Sequence, residues 1–268
     1  MTGKVIIIGA GPGAADLLTV KAARLLGAAQ VVLHDDLVPA EVLQLAPASA
    51  QIINVGKRCG RHENSQEKIN ALMVWHAGNG SAVVRLKSGD PAVFGRLGEE
   101  LEALRVAGVE FEIVPGVTAA SAAAAAAHIT LTDRRTASSL TLLTAHNCRG
   151  EKLGCGGGDP RRTTLAVYMP GPNYGSTAGD LMECGVDANT PCVLVSNAGR
   201  KNEQRCFMRL ADLPFALGVT SPAILVVGEV AKRTPAETGK DLDHVLGPIL
   251  APPDESSPAA PSHVAAHP

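Results

Sequence analysis

Aromatic side chains are scarce in this chain. Trp75, two tyrosines and four phenylalanines make up 3% of the 268 residues. So few rings argue against an aromatic cage for a cation and against a stacking surface for nucleic-acid bases. An excess of either charge is missing too, since 24 lysines and arginines face 26 acids for a formal charge of -2. A protein that coats DNA or RNA would be basic. No apolar run approaches the roughly 20 residues that span a bilayer, so no membrane segment is expected. The run after Lys4 has the length of a strand and ends at glycines, which does not match a secretory leader. Six cysteines are present without a C-x-x-C pair, and the histidines and acids show no metal-ligand spacing, so no metal is expected. These absences predict a soluble, cytoplasmic protein with free thiols.

Apolar residues are plentiful at 46%, enough for a sizeable core. In the first half, strand-like runs alternate with helix-period segments. Val5–Ile8, Val31–His34, Ile52–Val55, Ala82–Leu86 and Phe111–Val114 read as strands. Asp16–Gly27, Ser65–Ala77 and Arg96–Ala107 read as helices. That alternation predicts an α/β fold with parallel pairing, and unbroken apolar runs predict strands covered on both faces. Pro115-Gly116 is a natural break. The nearly all-alanine Ala119–Ala127 predicts a small-residue helix packed closely against another element. A second α/β set follows, with strands at Leu140–Thr144, Leu165–Met169, Cys192–Ser196, Arg205–Leu210 and Ala223–Val227. Residues 147–163 read as a loop with a short helix. The expected organisation is therefore two α/β domains, 1–115 and 116–246, and a Pro-, Ala- and Ser-rich disordered tail, 247–268.

Three turns stand at successive strand ends. Gly9-Ala10-Gly11-Pro12-Gly13-Ala14 satisfies G-x-G-x-x-A, and Asp35 and Asp36 end the second strand. That pattern is close to a dinucleotide fingerprint and makes an NAD-dependent oxidoreductase one alternative. Pro12 speaks against it, because it has no N–H for a pyrophosphate. Lys87-Ser88-Gly89-Asp90-Pro91 then places a sharp turn and an acid after the fourth strand, and Pro115-Gly116-Val117-Thr118 follows the fifth. An oxidoreductase of this kind needs neither. Three such turns together predict a loop-built site at the strand ends.

The segments GAGPG, HDDLV, VGKR, RLKSGDPAVFGR, PGVTAAS, TLAVYMP and SPAILVVGEV occur in this order. Together they resemble the S-adenosylmethionine-dependent tetrapyrrole methylases, and among these the uroporphyrinogen-III C-methyltransferases, over about residues 3–233. The resemblance implies two α/β domains in a homodimer, with the active site in the cleft between the domains. It implies transfer of two methyl groups from S-adenosyl-L-methionine to uroporphyrinogen III, giving precorrin-2 on the way to sirohaem or cobalamin. A sister precorrin methyltransferase is the near alternative, and a degenerate, non-catalytic binding protein a further one. Carried over by position, the cofactor contacts are Pro12, Ser88, Gly89, Asp90, Val93, Thr118, Ala119, Met169 and Ala198. Asp35 is implied as proton acceptor and Lys57 as proton donor. Because the substrate carries eight carboxylates, Arg58, Arg61, Arg96, Arg134 and Arg135 are candidates to hold it through their bidentate forks.

The chain departs from the family pattern at several points. Ser88 stands where the family has the first of two glycines. A positive φ there would cost Ser88 about 1–2 kcal/mol. Asp36 replaces an arginine, Ala198 a glycine, and Asp133-Arg134-Arg135 reorders a His-Arg-Asp triplet.

Overall fold

The computed structural model describes residues 3–56, 65–145, 152–154, 158–171 and 173–233. Lys57, Arg58 and Arg61 lie outside the described residues, as does the expected tail, 247–268.

The first sheet contains β1 (Val5–Gly9), β2 (Val31–His34), β3 (Gln51–Asn54), β4 (Val83–Lys87) and β5 (Phe111–Val114). All of its pairings are parallel, in the order β3-β2-β4-β1-β5. Four helices accompany it: α1 (Val20–Leu26), α2 (Ala40–Leu43), α3 (Gln66–Gly78) and α4 (Leu97–Val106). One apolar layer joins Val5, Ile7, Leu33 and Val83 to Ile69 and Met73 of α3 and Leu104 of α4. A second joins Ile8, Val32, Val84 and Leu86 to Ala22 and Leu26 of α1 and Val42 of α2. Both faces are thus covered, as the continuous apolar runs require.

The helix expected over Asp16–Gly27 is shorter. A single 3-10 turn covers Ala15–Leu17, and α1 begins only after Thr19, whose Oγ1 accepts from the Ala22 amide at 3.1 Å. A hydroxyl that satisfies an orphan amide of the first turn is a strong start signal.

The second sheet contains β6 (Ser139–Thr144), β7 (Thr163–Tyr168), β8 (Pro191–Ser196), β9 (Gln204–Arg209) and β10 (Ala223–Val227), in the order β6-β7-β10-β8-β9. Unlike the first sheet, it is mixed. Only β6 and β7 pair in parallel; β10 runs antiparallel to β7 and β8, and β9 antiparallel to β8. The physical reason is the connection length. Residues 197–203 join β8 to β9 with no crossover helix, and parallel neighbours need a crossover of a dozen or more residues.

The alanine-rich segment forms α5 (Ala119–Ala127). Ala120, Ala123 and Ala127 pack on Ala166, Val193, Val195 and Val226, so small side chains let the helix approach the sheet closely. The opposite face is covered by α6 (Tyr174–Glu183), a helix not expected from the sequence, through Ala178 and Leu181 against Leu165, Leu194 and Leu225.

Candidate active site

The ends of β1, β4 and β5 meet in one place. Sheet order puts β1 between β4 and β5, so the turns that follow all three are neighbours. The Gly11 and Gly89 backbones bond reciprocally, at 3.2 and 2.8 Å, and the Ala10 amide donates to the Lys87 carbonyl at 2.7 Å. A Cβ on Gly9 would lie 2.6 Å from the Gly116 nitrogen and 2.7 Å from the Gly89 carbonyl oxygen. A Cβ on Gly116 would lie 2.4 Å from that same oxygen. Glycine is needed here because three backbones touch. The space beside Gly9 is filled by the backbones of Gly89 and Gly116.

Asp90 ties the turns together. Its Oδ1 accepts from the Ala92 amide at 2.8 Å and its Oδ2 from the Gly116 amide at 3.0 Å. The left-handed residue of the β4 turn is Gly89, with φ +67°, and Ser88 is not among the residues with positive φ. The strain that Ser88 would carry in a left-handed position is therefore absent.

These turns form one wall of a cavity of about 200 Å³. The second sheet supplies the other wall, through Tyr168, Met169, Val195, Ala198, Arg200, Pro222, Ala223 and Ile224. All nine positions carried over as cofactor contacts line it: Pro12, Ser88, Gly89, Asp90, Val93, Thr118, Ala119, Met169 and Ala198. Met169 follows β7 with φ +49° and is 45% exposed, and it faces the cavity rather than the core.

Among the other lining residues, Tyr168 and Arg200 bring polar groups that the sequence alone does not single out. The Tyr168 hydroxyl lies 2.5 Å from Thr118 Oγ1 and accepts from the Ala120 amide at 3.2 Å, which satisfies the start of α5. Its ring meets Phe94 with centroids 5.0 Å apart. Two of the few aromatic rings thus stand at the cavity. Arg200 reaches the cavity from the connection between β8 and β9.

Asp35 sits next to the β4 turn at the end of β2. Its Oδ2 accepts from the Ser88 amide at 3.3 Å and its Oδ1 from Arg85 Nη2 at 2.5 Å. Behind it is a buried charge network. Arg85 Nε and Lys87 Nζ each lie 2.9 Å from Glu100 Oε1, and all three side chains are almost inaccessible to solvent. Burial disfavours the charge on Arg85, but the carboxylates of Asp35 and Glu100 outweigh it and raise its pKa. The Lys87 pKa is lowered, first by burial and then by the Arg85 charge. A signal for this network was available: Arg85 and Lys87, two residues apart within an apolar strand, must point to one face.

The neighbouring acid Asp36 turns towards β3, accepting from Asn54 Nδ2 at 2.7 Å. Of the described candidate arginines, Arg96 forms a bidentate pair with Glu99 at 2.7 and 2.6 Å. Arg135 is paired with Asp133 at 2.8 Å, and Arg134 is exposed. None of these three lines the cavity. Among the described residues no group of three or more His, Cys, Asp or Glu is placed to hold a metal ion, and no helix is long and apolar enough to cross a membrane.

The model of the family described as Tetrapyrrole (Corrin/Porphyrin) Methylases matches residues 4–214. The chain belongs to this family. Its relatives include the uroporphyrinogen-III C-methyltransferase of Paracoccus denitrificans, 44% identical over 85% of this chain and 82% of that protein. The enzyme of the same name from Pseudomonas aeruginosa is 43% identical over 87% of this chain and 96% of its own length. Among solved structures, the uroporphyrin-III C-methyltransferase of Thermus thermophilus complexed with S-adenosylhomocysteine superposes with a TM-score of 0.73 at 39% identity. That match covers 85% of this chain and 98% of the other. In this tetrapyrrole methylase the cavity lies between the turns of the first sheet and the second sheet. Its lining is mostly apolar, with one acid, Asp90, and one base, Arg200.

Proposed function

We propose that the chain is a uroporphyrinogen-III C-methyltransferase that uses S-adenosyl-L-methionine and transfers two methyl groups to give precorrin-2. The observation that carries this reading is the convergence of nine positions, from five separate stretches of the chain, on one cavity, with Asp35 beside it. When bound, the methyl donor supplies an electrophilic methyl group on a sulfonium. The chain's own work is alignment. The rigid turns at Gly9, Gly89 and Gly116 hold one wall fixed, and such positioning can supply roughly 7–11 kcal/mol of the barrier.

The methyl would pass from sulfur to an electron-rich pyrrole carbon, the carbon–sulfur bond breaking and S-adenosylhomocysteine leaving as the carbon–carbon bond forms, and the macrocycle would carry positive charge until a proton departs. Asp35 is the proposed proton acceptor, held in one orientation by Arg85 and the Ser88 amide. Lys57 is the proposed donor, and Arg58, Arg61, Arg96, Arg134 and Arg135 are proposed to meet the substrate's carboxylates. We also propose that residues 1–115 and 116–246 act as two domains, that the protein works as a cytoplasmic homodimer, and that no nucleic acid takes part.

Anaerobic incubation with uroporphyrinogen III and S-adenosylmethionine, followed by mass spectrometry, tests the reading. The expected product is heavier by two methyl groups. An unchanged macrocycle refutes the substrate, and methylation only of a later precorrin supports the sister enzyme. In the same assay Asp35→Asn lowers turnover and leaves cofactor affinity near wild type.

A further inference from the structure

Arg200 carries the only positive charge among the described residues lining the cavity. It follows Gly199 in the connection between β8 and β9, and it reaches across to the first sheet's turns. Its side chain lies over Gly13, where a Cβ would come within 2.5 Å of Arg200 Cγ. Nε donates to the Pro12 carbonyl at 3.3 Å and Nη2 to the Leu37 carbonyl at 2.7 Å. A guanidinium has five N–H donors, so these bonds leave three unused. Among the described residues no carboxylate lies within salt-bridge distance of it. Burial lowers its pKa, and only the through-space charge of Glu41 opposes this. A half-buried cation bonded to neutral carbonyls alone, on a cavity wall, lacks its counter-ion.

We propose that Arg200 is the carboxylate-binding residue of this cavity, donating its remaining N–H groups to an anionic ligand. The inference rests on the function proposed above, whose two ligands both carry carboxylates. One is the amino-acid end of the methyl donor, and the others are the acid side chains of the macrocycle. A guanidinium already oriented by two carbonyls presents its free edge at little entropic cost.

Calorimetric titration of the full chain, wild type and Arg200→Gln, tests this with three probes. S-adenosylhomocysteine carries the carboxylate, 5′-methylthioadenosine is the same thioether nucleoside without it, and uroporphyrin III is a stable form of the macrocycle. Arg200→Gln is expected to weaken one carboxylate ligand by about ten- to a hundredfold while methylthioadenosine binds as before. Weakened S-adenosylhomocysteine assigns Arg200 to the cofactor, and weakened uroporphyrin assigns it to the substrate. Wild-type affinity for both acids overturns the proposal. An equal loss for all three probes also overturns it, since Arg200 is then only a structural link. If Arg200→Gln does not fold, Arg200→Met, which keeps the stem over Gly13, is read by the same rule. Failure of the wild-type protein to bind any probe defeats the functional reading itself, which separates the two ideas.

Discussion

At the scale of single residues, the chemistry next to the cavity depends on charges that water does not reach. Glu100 Oε1 serves both Arg85 and Lys87, while Oε2 is buried with no hydrogen-bond partner. Removing the Glu100 charge leaves two buried cations opposite Asp35 alone. Glu100→Gln is therefore expected to cost about 3–5 kcal/mol, seen as a lower urea midpoint. Adding Lys87→Met removes the surplus cation and is expected to recover much of that loss. A double variant no more stable than Glu100→Gln would show that the loss is not electrostatic. The same residues show what a sequence discloses. Asp35 stands out through the HDDLV segment of the family resemblance, since an acid just after a strand is by itself an ordinary turn residue. Glu100 does not, because an acid on an amphipathic helix ordinarily faces solvent, and only the strand opposite makes it a buried partner.

At the scale of elements, α5 shows how composition sets distance. Its alanines expose no bulk, so the helix lies directly on β7, β8 and β10 and brings Thr118 and Ala119 to the cavity edge. Ala123 has no exposed surface. Ala123→Leu is expected to destabilise the protein by about 1–3 kcal/mol through overpacking. It should also weaken cofactor binding, because the helix start moves with the helix. Thermal melting and calorimetry check the two effects, and unchanged values in both would mean that the helix has room to spare. The alternation of strand and helix made the first sheet legible nearly strand by strand. The direction of β9 and β10 was not, because strand runs carry no sign of polarity; only the short connection at 197–203 hinted at a hairpin.

At the scale of the whole molecule, each sheet has its own apolar layers, and the cavity needs both sheets held in place. Part of that link is made by residues 197–203. The Ala14 amide donates to the Gly199 carbonyl at 3.1 Å, and Gly199 takes φ +71° to bring it there. A Cβ at this position would lie 2.8 Å from Leu17 Cδ1 and 3.2 Å from Pro12 Cγ. Gly199→Val adds a β-branched side chain to a left-handed backbone, at a cost of about 1–2 kcal/mol before any contact is counted. Relief comes from lifting this connection off the glycine turn, not from opening either sheet. The expected result is faster amide exchange over 11–18 and 197–203, with β1, β4, β8 and β10 protected as in the wild type, and weaker binding of S-adenosylhomocysteine. Peptide-resolved hydrogen exchange reads both regions in one experiment. Exchange that rises equally in the strands would mean that the sheets unfold with the link, and that the cavity depends on global stability instead of on this contact.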